Sequence, residues 1–375
     1  MQTSTHEWLT TTRAAAEARV TALALRLGGA FLHATDAGRY LPLDADEWTS
    51  GFWPGLLLLT YRRTGDPALL AAAAHAEAEL ERAVCDDRLY LLHHDVGFQF
   101  SPTAVMRYKL TGDPTARRRA FLAANLLMGR FNPAGTGFIE AWNTEERRGL
   151  VIIDTMMNLP LLFWAADEFQ QPRFRNVALA HAHTTLRTHV RPDGSTNHIV
   201  RFDQETGMPL ETRGGQGYAP DSCWSRGQSW AFYGFALAYR YSRVPEFRAA
   251  AYRVANSFLA TLPPEGVPPW DFGAPDVATA PRDSSAGAIA ASGLLELAAL
   301  LPPGEGKPFV AAATDLLMAL AAHCGTADDP AHDALLRHAT GNLPKGQNID
   351  VALIYGDYYY LEALQKLDGL RETCW

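Results

Sequence analysis

Six stretches of this chain read as helices that are apolar or aromatic nearly all the way round, and they alternate with helices that are apolar on one side only. The first kind comprises "WTSGFWPGLLLLTYRRT", "HDVGFQFSPTAVMRYKLT", "DTMMNLPLLFWAADEF", "WSRGQSWAFYGFALAYRYS", "DSSAGAIAASGLLELAALL" and "GDYYYLEALQKL". A helix without a polar face has to be buried, and an amphipathic neighbour has to cover it. Segments such as "DPALLAAAAHAEAELERAV" and "DPTARRRAFLAANLLMGRF" are suited to that covering role, and the Asp-Pro at their starts marks a capped helix entry. The buried segments begin at residues 48, 94, 154, 224, 283 and 356, roughly 45 to 75 residues apart, which is room for one helical hairpin and its loops. Two closures satisfy such a repeat: an open solenoid or a ring. The count stops at six, and every inner segment opens with polar or aromatic residues that an apolar core would reject. Both features favour an all-α (α/α)6 barrel of six inner and six outer helices, spanning residues 1–375 as one domain. Parallel inner helices would bring those starts together at one end, where helix N-termini favour an anionic ligand.

Composition narrows the function. The chain has 375 residues, 47% of them hydrophobic and 20% charged, with no apolar run long enough to cross a membrane. The N-terminal "MQTSTHEWLTTTRAAAEARV" lacks the basic-then-apolar order of a signal peptide, so a cytoplasmic location is expected. A formal charge of −8 disfavours nucleic acid as a partner. The four cysteines, Cys85, Cys223, Cys324 and Cys374, form no CxxC pair, and no HExxH occurs among the twelve histidines. Neither a metal site nor a disulfide framework is therefore suggested. Phosphate-binding glycine motifs are absent too, and no cofactor is expected.

The six starts and their adjoining loops would gather Trp48, Trp53, His94, Asp95, Trp142, Asp154, Asn158, His198, Gln216, Tyr218, Trp224, Arg226, Gln228, Trp230, Asp283, Tyr355 and Asp357. Indole faces beside carboxylates, amides and a guanidinium suit a sugar ring, whose apolar face stacks while its hydroxyls form hydrogen bonds. Taken singly, a tryptophan here is commonly packing and an aspartate commonly a helix cap. Asp283 before "SSAG" reads as such a cap and Asp357 as structural. His33, His181, His183 and His189 read as surface or packing residues on outer segments. Asp95 in "LLHHDVGFQF" and Asp154 in "GLVIIDTMMNL" differ from the rest, because each is embedded in apolar sequence. Burial and a second nearby carboxylate both raise an acid's pKa, so one of the two should hold its proton near neutrality. Asp154 has the more apolar flanks and no adjacent histidine, and it is assigned that proton.

The motifs "HDVGF", "IDTMMNLPLLFWA", "TNHIVRFDQETG", "GGQGYAPDSCWSRGQSWAFYGFALAY", "DSSAGAIAASGLLEL" and "GDYYYLEAL" resemble, in order and from about Trp48 to Leu364, the unsaturated glucuronyl hydrolases of glycoside hydrolase family 88. "HDVGF" and the "DT" of the third inner helix are shared with the unsaturated rhamnogalacturonyl hydrolases. The resemblance implies an (α/α)6 barrel that hydrates the C4=C5 double bond left at a nonreducing-end uronate by polysaccharide lyases. The resulting hemiketal opens and the aglycone is released without attack at the anomeric carbon. It further implies Asp154 as general acid and base and Asp95 as the second essential carboxylate. His198 and Gln216 would contact the uronate and its water, Arg226 its carboxylate, and Trp48, Trp142, Trp224 and Trp230 the ring faces, with His94 at the rim. Trp48 and Trp53 are equal candidates. Lys345, in the loop before the last inner helix, is a candidate contact for a charged leaving sugar. The implied partner is an unsaturated uronic-acid oligosaccharide from a glycosaminoglycan or bacterial polysaccharide. The alternatives are an unsaturated rhamnogalacturonyl hydrolase, an inverting glycosidase on the same barrel, and a noncatalytic sugar-binding helical-repeat protein.

Overall fold

The computed structural model describes residues 5–84 and 93–375; Cys85, Leu91 and Leu92 lie outside the described residues. The chain opens with α1 (Thr5–Leu27), a short hairpin β1 (Phe31–Asp36) and β2 (Arg39–Leu43), then α2 (Phe52–Thr64) and α3 (Pro67–Arg82). A broken inner helix follows, made of α4 (Val96–Phe100), a π-helical turn at Ser101–Val105 and α5 (Met106–Thr111). Next come α6 (Pro114–Met128), the strands β3 (Phe131–Asn132), β4 (Phe138–Ile139) and β5 (Leu150–Ile152), and a 3-10 turn at Ile153–Met157. The turn leads into α7 (Leu159–Glu168), then α8 (Pro172–Thr188), β6 (Ile199–Phe202) and β7 (Pro209–Arg213). The chain finishes with α9 (Ser225–Ser242), α10 (Pro245–Thr261), α11 (Ser284–Leu300), α12 (Pro303–Cys324) and α13 (Ile354–Leu367).

This is the all-α barrel expected from the repeat. The inner layer consists of α2, α4 with α5, α7, α9, α11 and α13, and the outer layer of α1, α3, α6, α8, α10 and α12. Burial separates the two layers cleanly. In α9 every residue from Ser225 to Ala238 is buried, and in α11 every residue from Ser284 to Ala298. In α10 only Phe247, Ala250, Ala251, Val254, Ala255 and Phe258 are buried, a single stripe at helical spacing. The Asp-Pro entries behave as read: Asp66 caps α3 through the Ala68 amide, and Asp113 caps α6 through those of Thr115 and Ala116. One apolar cluster runs from Leu9 to Trp375, whose indole stacks on Tyr359. Among the described residues no helix is long and apolar enough to cross a membrane.

The strands are the part of the fold that the helical pattern conceals. β5, β6 and β7 form an antiparallel sheet in which Ile152 pairs with Ile199. The branched run before Asp154, expected to shield the acid, is largely this strand. Val151 packs with Phe138, Val200 and Phe202, and Ile152 with Ala141, Leu150 and Ile199. Only Ile153 of the three joins the main core.

Candidate active site

The β5–β6 pairing sets the site. It ends with the Ile153 amide donating to the His198 carbonyl at 3.0 Å, which places the first residue of the acid's turn beside the residue bearing the imidazole. Asp154 then lies in the 3-10 turn, buried, with its Oδ2 3.8 Å from Nε2 of His198. Asp154 is not a helix cap. Its carboxylate makes no cap hydrogen bond, and Oδ2 is buried without a hydrogen-bond partner among the described residues. Such an oxygen is costly when ionised and tolerable when the group is protonated. Burial and the nearby charge of Asp95 push the carboxyl up to about 7, with Arg226 pulling part of the way back.

Asp95 precedes α4 but likewise makes no cap bond. Burial would raise its pKa, yet His94, His93 and a hydrogen bond from Asn158 outweigh burial and lower it. His93 Nδ1 lies 3.1 Å and His94 Nε2 3.5 Å from Asp95 Oδ2. Burial lowers the His93 pKa, but its hydrogen bond and charge contact with Asp95 more than offset this and leave it raised. His94 is pushed down to about 4, chiefly by burial, and its Nδ1 meets Thr155 Oγ1 at 2.6 Å. It sits beneath the site, only 2% exposed, rather than at the rim. Asn158 ties the two acids together: it accepts from the Phe98 amide at 2.7 Å and donates to the Asp154 carbonyl at 3.3 Å. Gly97 makes the approach possible, since a Cβ there would stand 2.5 Å from Asn158 Cα. The two carboxyls are thus driven apart in proton affinity by their surroundings, Asp95 downward and Asp154 up to about 7.

His198 is neutral, pushed down to about 3 chiefly by burial. Its Nδ1 lies 2.9 Å from the Gly214 carbonyl and 3.0 Å from the Gln216 amide; donating to the first leaves Nε2 an acceptor, whereas accepting from the second leaves it a donor. Gln216 is half-buried, and its Oε1 accepts from Arg226 at 2.8 Å. That bond fixes the amide orientation and leaves Nε2 without a protein partner among the described residues.

Four expectations need correction. Arg226 cannot offer a free fork to a substrate carboxylate, because its terminal nitrogens are bound by Asp283, Gln216 and the carbonyls of Thr340 and Gly341. Asp283 caps α11, as read, but is also the ion-pair partner of Arg226. Trp224 has little open face: His198 packs on it at 4.2 Å between centroids, and the Arg226 guanidinium lies 4.6 Å from its ring centre. Trp230 is wholly buried between Phe98 and Tyr359 and is a core residue. His33, read as a surface or packing residue on an outer segment, does pack, but on β1 beside Trp48 and Tyr355, and it bonds the Asn348 side-chain amide at 3.0 Å.

The remaining candidates sort by exposure. Trp53 is buried, with Nε1 bonded to the Gly28 carbonyl at 2.9 Å, so of the two only Trp48, half-buried and packed on Tyr355 at 4.9 Å, keeps an accessible indole. Trp142 is half-buried with its ring 6.0 Å from His94. Asp357 is structural, accepting from the amides of Leu335 and Leu336 and from the Tyr40 hydroxyl. Of the other histidines, His181 and His189 are buried and His183 packs on Phe247. Gln228 is buried, Tyr218 is exposed, and Lys345 lies in a short exposed turn. Among the described residues no cluster of histidine, cysteine or acid could hold a metal ion. Thr155 and Gly97 were not singled out from the sequence, although both lie in the motifs that carry the two acids.

The model of Glycosyl Hydrolase Family 88 matches residues 26–262. The chain belongs to that family. It is a glycoside hydrolase of the unsaturated glucuronyl hydrolase kind. It is 39% identical over 350 residues to an unsaturated glucuronyl hydrolase of Bacillus sp. (strain GL1), covering 92% of each chain. To an unsaturated chondroitin disaccharide hydrolase of Streptococcus pyogenes serotype M1 it is 38% identical, covering 89% of this chain and 84% of the relative. A solved unsaturated glucuronyl hydrolase with dGlcA-Glc-Rha-Glc superposes with a TM-score of 0.91 at 37% identity, over 96% of each chain.

Proposed function

We propose that this glycosidase removes the nonreducing-end Δ4,5-unsaturated glucuronate from lyase-generated oligosaccharides by adding water across the C4=C5 bond, with Asp154 as the acid and base. The observation that carries this reading is a buried carboxyl with an unpartnered oxygen, raised to about 7 by burial and by the charge of a second carboxylate that is itself held low. Protonating an alkene carbon needs a neutral acid at working pH, held where water does not level it. Asp154 gives its proton to C4 and positive charge develops at C5. Water then adds at C5 and returns a proton to the Asp154 carboxylate, so the acid is regenerated. The C5 hemiketal opens and the leaving sugar departs.

The neighbours divide the rest of the work. Asp95, kept ionised by His93 and Asn158, accepts from ring hydroxyls and its charge keeps the proton on Asp154. Neutral His198 and the free amide nitrogen of Gln216 hold the water and the uronate. Arg226 acts on the substrate through Gln216 and through its positive charge, as a positioning residue. Trp48 and Trp142 flank the ring.

The test follows ultraviolet absorbance of the conjugated double bond with a panel of unsaturated disaccharides differing in linkage and sulfation. Hydration destroys that absorbance, whereas cleavage at C1 preserves it. Loss of absorbance that disappears in Asp154→Asn with folding intact is expected; release of an intact unsaturated sugar would overturn the reading.

A further inference from the structure

Behind Trp142 lies a cavity of about 480 Å³, separate from the carboxylate pair and bordered by Arg130, Asn132, Glu140, Trp142, Arg148 and Gln204. We infer that this cavity is a distal subsite for an anionic sugar of a longer leaving oligosaccharide, with Arg148 supplying the charge and Trp142 the ring face. The inference rests on the function proposed above and extends it to the far end of the substrate.

Four observations support it. The cavity adjoins the catalytic end directly: the Ala141 carbonyl accepts from the His94 amide at 3.0 Å, and the next residue, Trp142, both lines the cavity and meets His94 edge-on. The volume exceeds what one sugar ring needs and lies within the ordinary range of small-molecule pockets. Trp142 is anchored by the sheet cluster of Ala141, Leu150, Ile152 and Ile199, so its indole is a fixed wall of the cavity whose exposed face a ligand shares with the exposed Arg147. Finally, the charged residues that line the cavity, Arg130, Arg148 and Glu140, sum to +1 in a chain whose formal charge is −8. Arg147 lies 4.8 Å over the Trp142 ring, and Arg148 is exposed with no side-chain partner among the described residues.

The Glu140 carboxylate is held against the wall by neutral amide donors. Glu140 accepts from Gln204 at 2.8 Å and from the Gly149 amide at 3.2 Å, with Asn132 at 3.4 Å. Arg130 is buried and ties the wall together, donating to the Glu140 carbonyl at 2.7 Å and to Asn143 Oδ1 at 2.6 Å. A ligand carboxylate or sulfate therefore meets Arg148 as its charge partner while its ring lies against Trp142. A neutral sugar would gain only the stacking. A disaccharide, which ends one sugar past the cleaved linkage, does not fill this cavity.

The experiment compares three substrates: an unsaturated disaccharide, an unsaturated tetrasaccharide with a neutral leaving portion, and one whose third sugar is a uronate. Each is assayed with the wild type, Arg148→Ala and Arg148→Glu. The inference expects the ratio of kcat/KM on the acidic tetrasaccharide to that on the disaccharide to fall about fivefold in Arg148→Ala. It expects a larger fall in Arg148→Glu, carried by KM, and a weaker salt dependence. The ratio for the neutral tetrasaccharide should move less than twofold in either variant. Equal effects on all three substrates, or none on the acidic one, would overturn the subsite while leaving the proposed reaction standing. Failure of the wild type to consume any unsaturated substrate would overturn both.

Discussion

Replacing Asp154 with asparagine should make the protein more stable at neutral pH while abolishing turnover, and the gain should depend on pH in a defined way. The carboxyl is raised from 3.8 to about 7 in the folded chain. Between those values the folded state binds a proton that the unfolded state has lost, so stability falls as pH rises through the window and levels off above the folded pKa. At about 1.4 kcal/mol per pH unit, the full cost of Asp154 above pH 7 is on the order of 4 kcal/mol, of which roughly 2 kcal/mol accrues between pH 5 and pH 7. Asparagine keeps the shape but does not titrate, and it leaves one buried amide group without a partner, a penalty of roughly 1–3 kcal/mol that is independent of pH. The difference in unfolding free energy between Asp154→Asn and wild type should therefore shift in favour of the variant by about 3 kcal/mol from pH 5 to pH 8. Urea unfolding curves of both proteins at the two pH values measure it, and groups titrating identically in both, including Asp357, cancel. A difference that stays constant across that range would refute the claim that this carboxyl is protonated in the folded protein.

Three other outcomes follow from the same geometry. Asp95→Asn removes a charge that raises the Asp154 pKa, so the alkaline limb of the residual kcat/KM profile, expected near pH 7 in wild type, should move to lower pH; an unmoved limb would argue against coupling between the two carboxyls. Trp48→Ala should raise KM about five- to tenfold, in line with the roughly 1 kcal/mol of an aromatic platform, whereas Trp53→Phe and Trp230→Phe should lower the melting temperature and leave KM within twofold. Gly97→Ala forces a Cβ to within 2.5 Å of Asn158 Cα and should cost about 1–3 kcal/mol of stability together with most of the activity; thermal melts and kcat report the two effects separately.

The fold was legible because the repeat is written in the residues themselves. A helix such as α11, with no polar face, can only be inside, and α10, with one apolar stripe, can only cover it. Asp66 and Asp113 before their prolines marked helix starts by a mechanism local to four residues. The β5–β6–β7 sheet was not legible, because strands of three to five residues between long helices carry too little alternation to stand out. Many of the candidate residues do lie near one another in the fold, yet the surroundings of each were not readable. Arg226 looked like a free cation until Asp283, 57 residues away, was found against it. Trp230 looked like a platform, but Phe98 and Tyr359 close over it. Trp48 and Trp53 differ only in what the chain 25 residues before Trp53 does, since the Gly28 carbonyl holds Trp53.

The sequence by itself determined the number of helices, their division into buried and covering layers, and which ionisable side chains stand at the barrel end, because these depend on side-chain type and spacing. Only the tertiary structure decided which buried, raised carboxyl is left with an unpartnered oxygen. Asp154 and Asp357 are both buried and both raised to about 7, but Asp357 accepts two backbone amides and a phenol, while Oδ2 of Asp154 has no partner and faces a neutral imidazole. Proton affinity is a sum over burial, charges and hydrogen bonds contributed by segments far apart in the chain, and no local stretch of residues contains that sum.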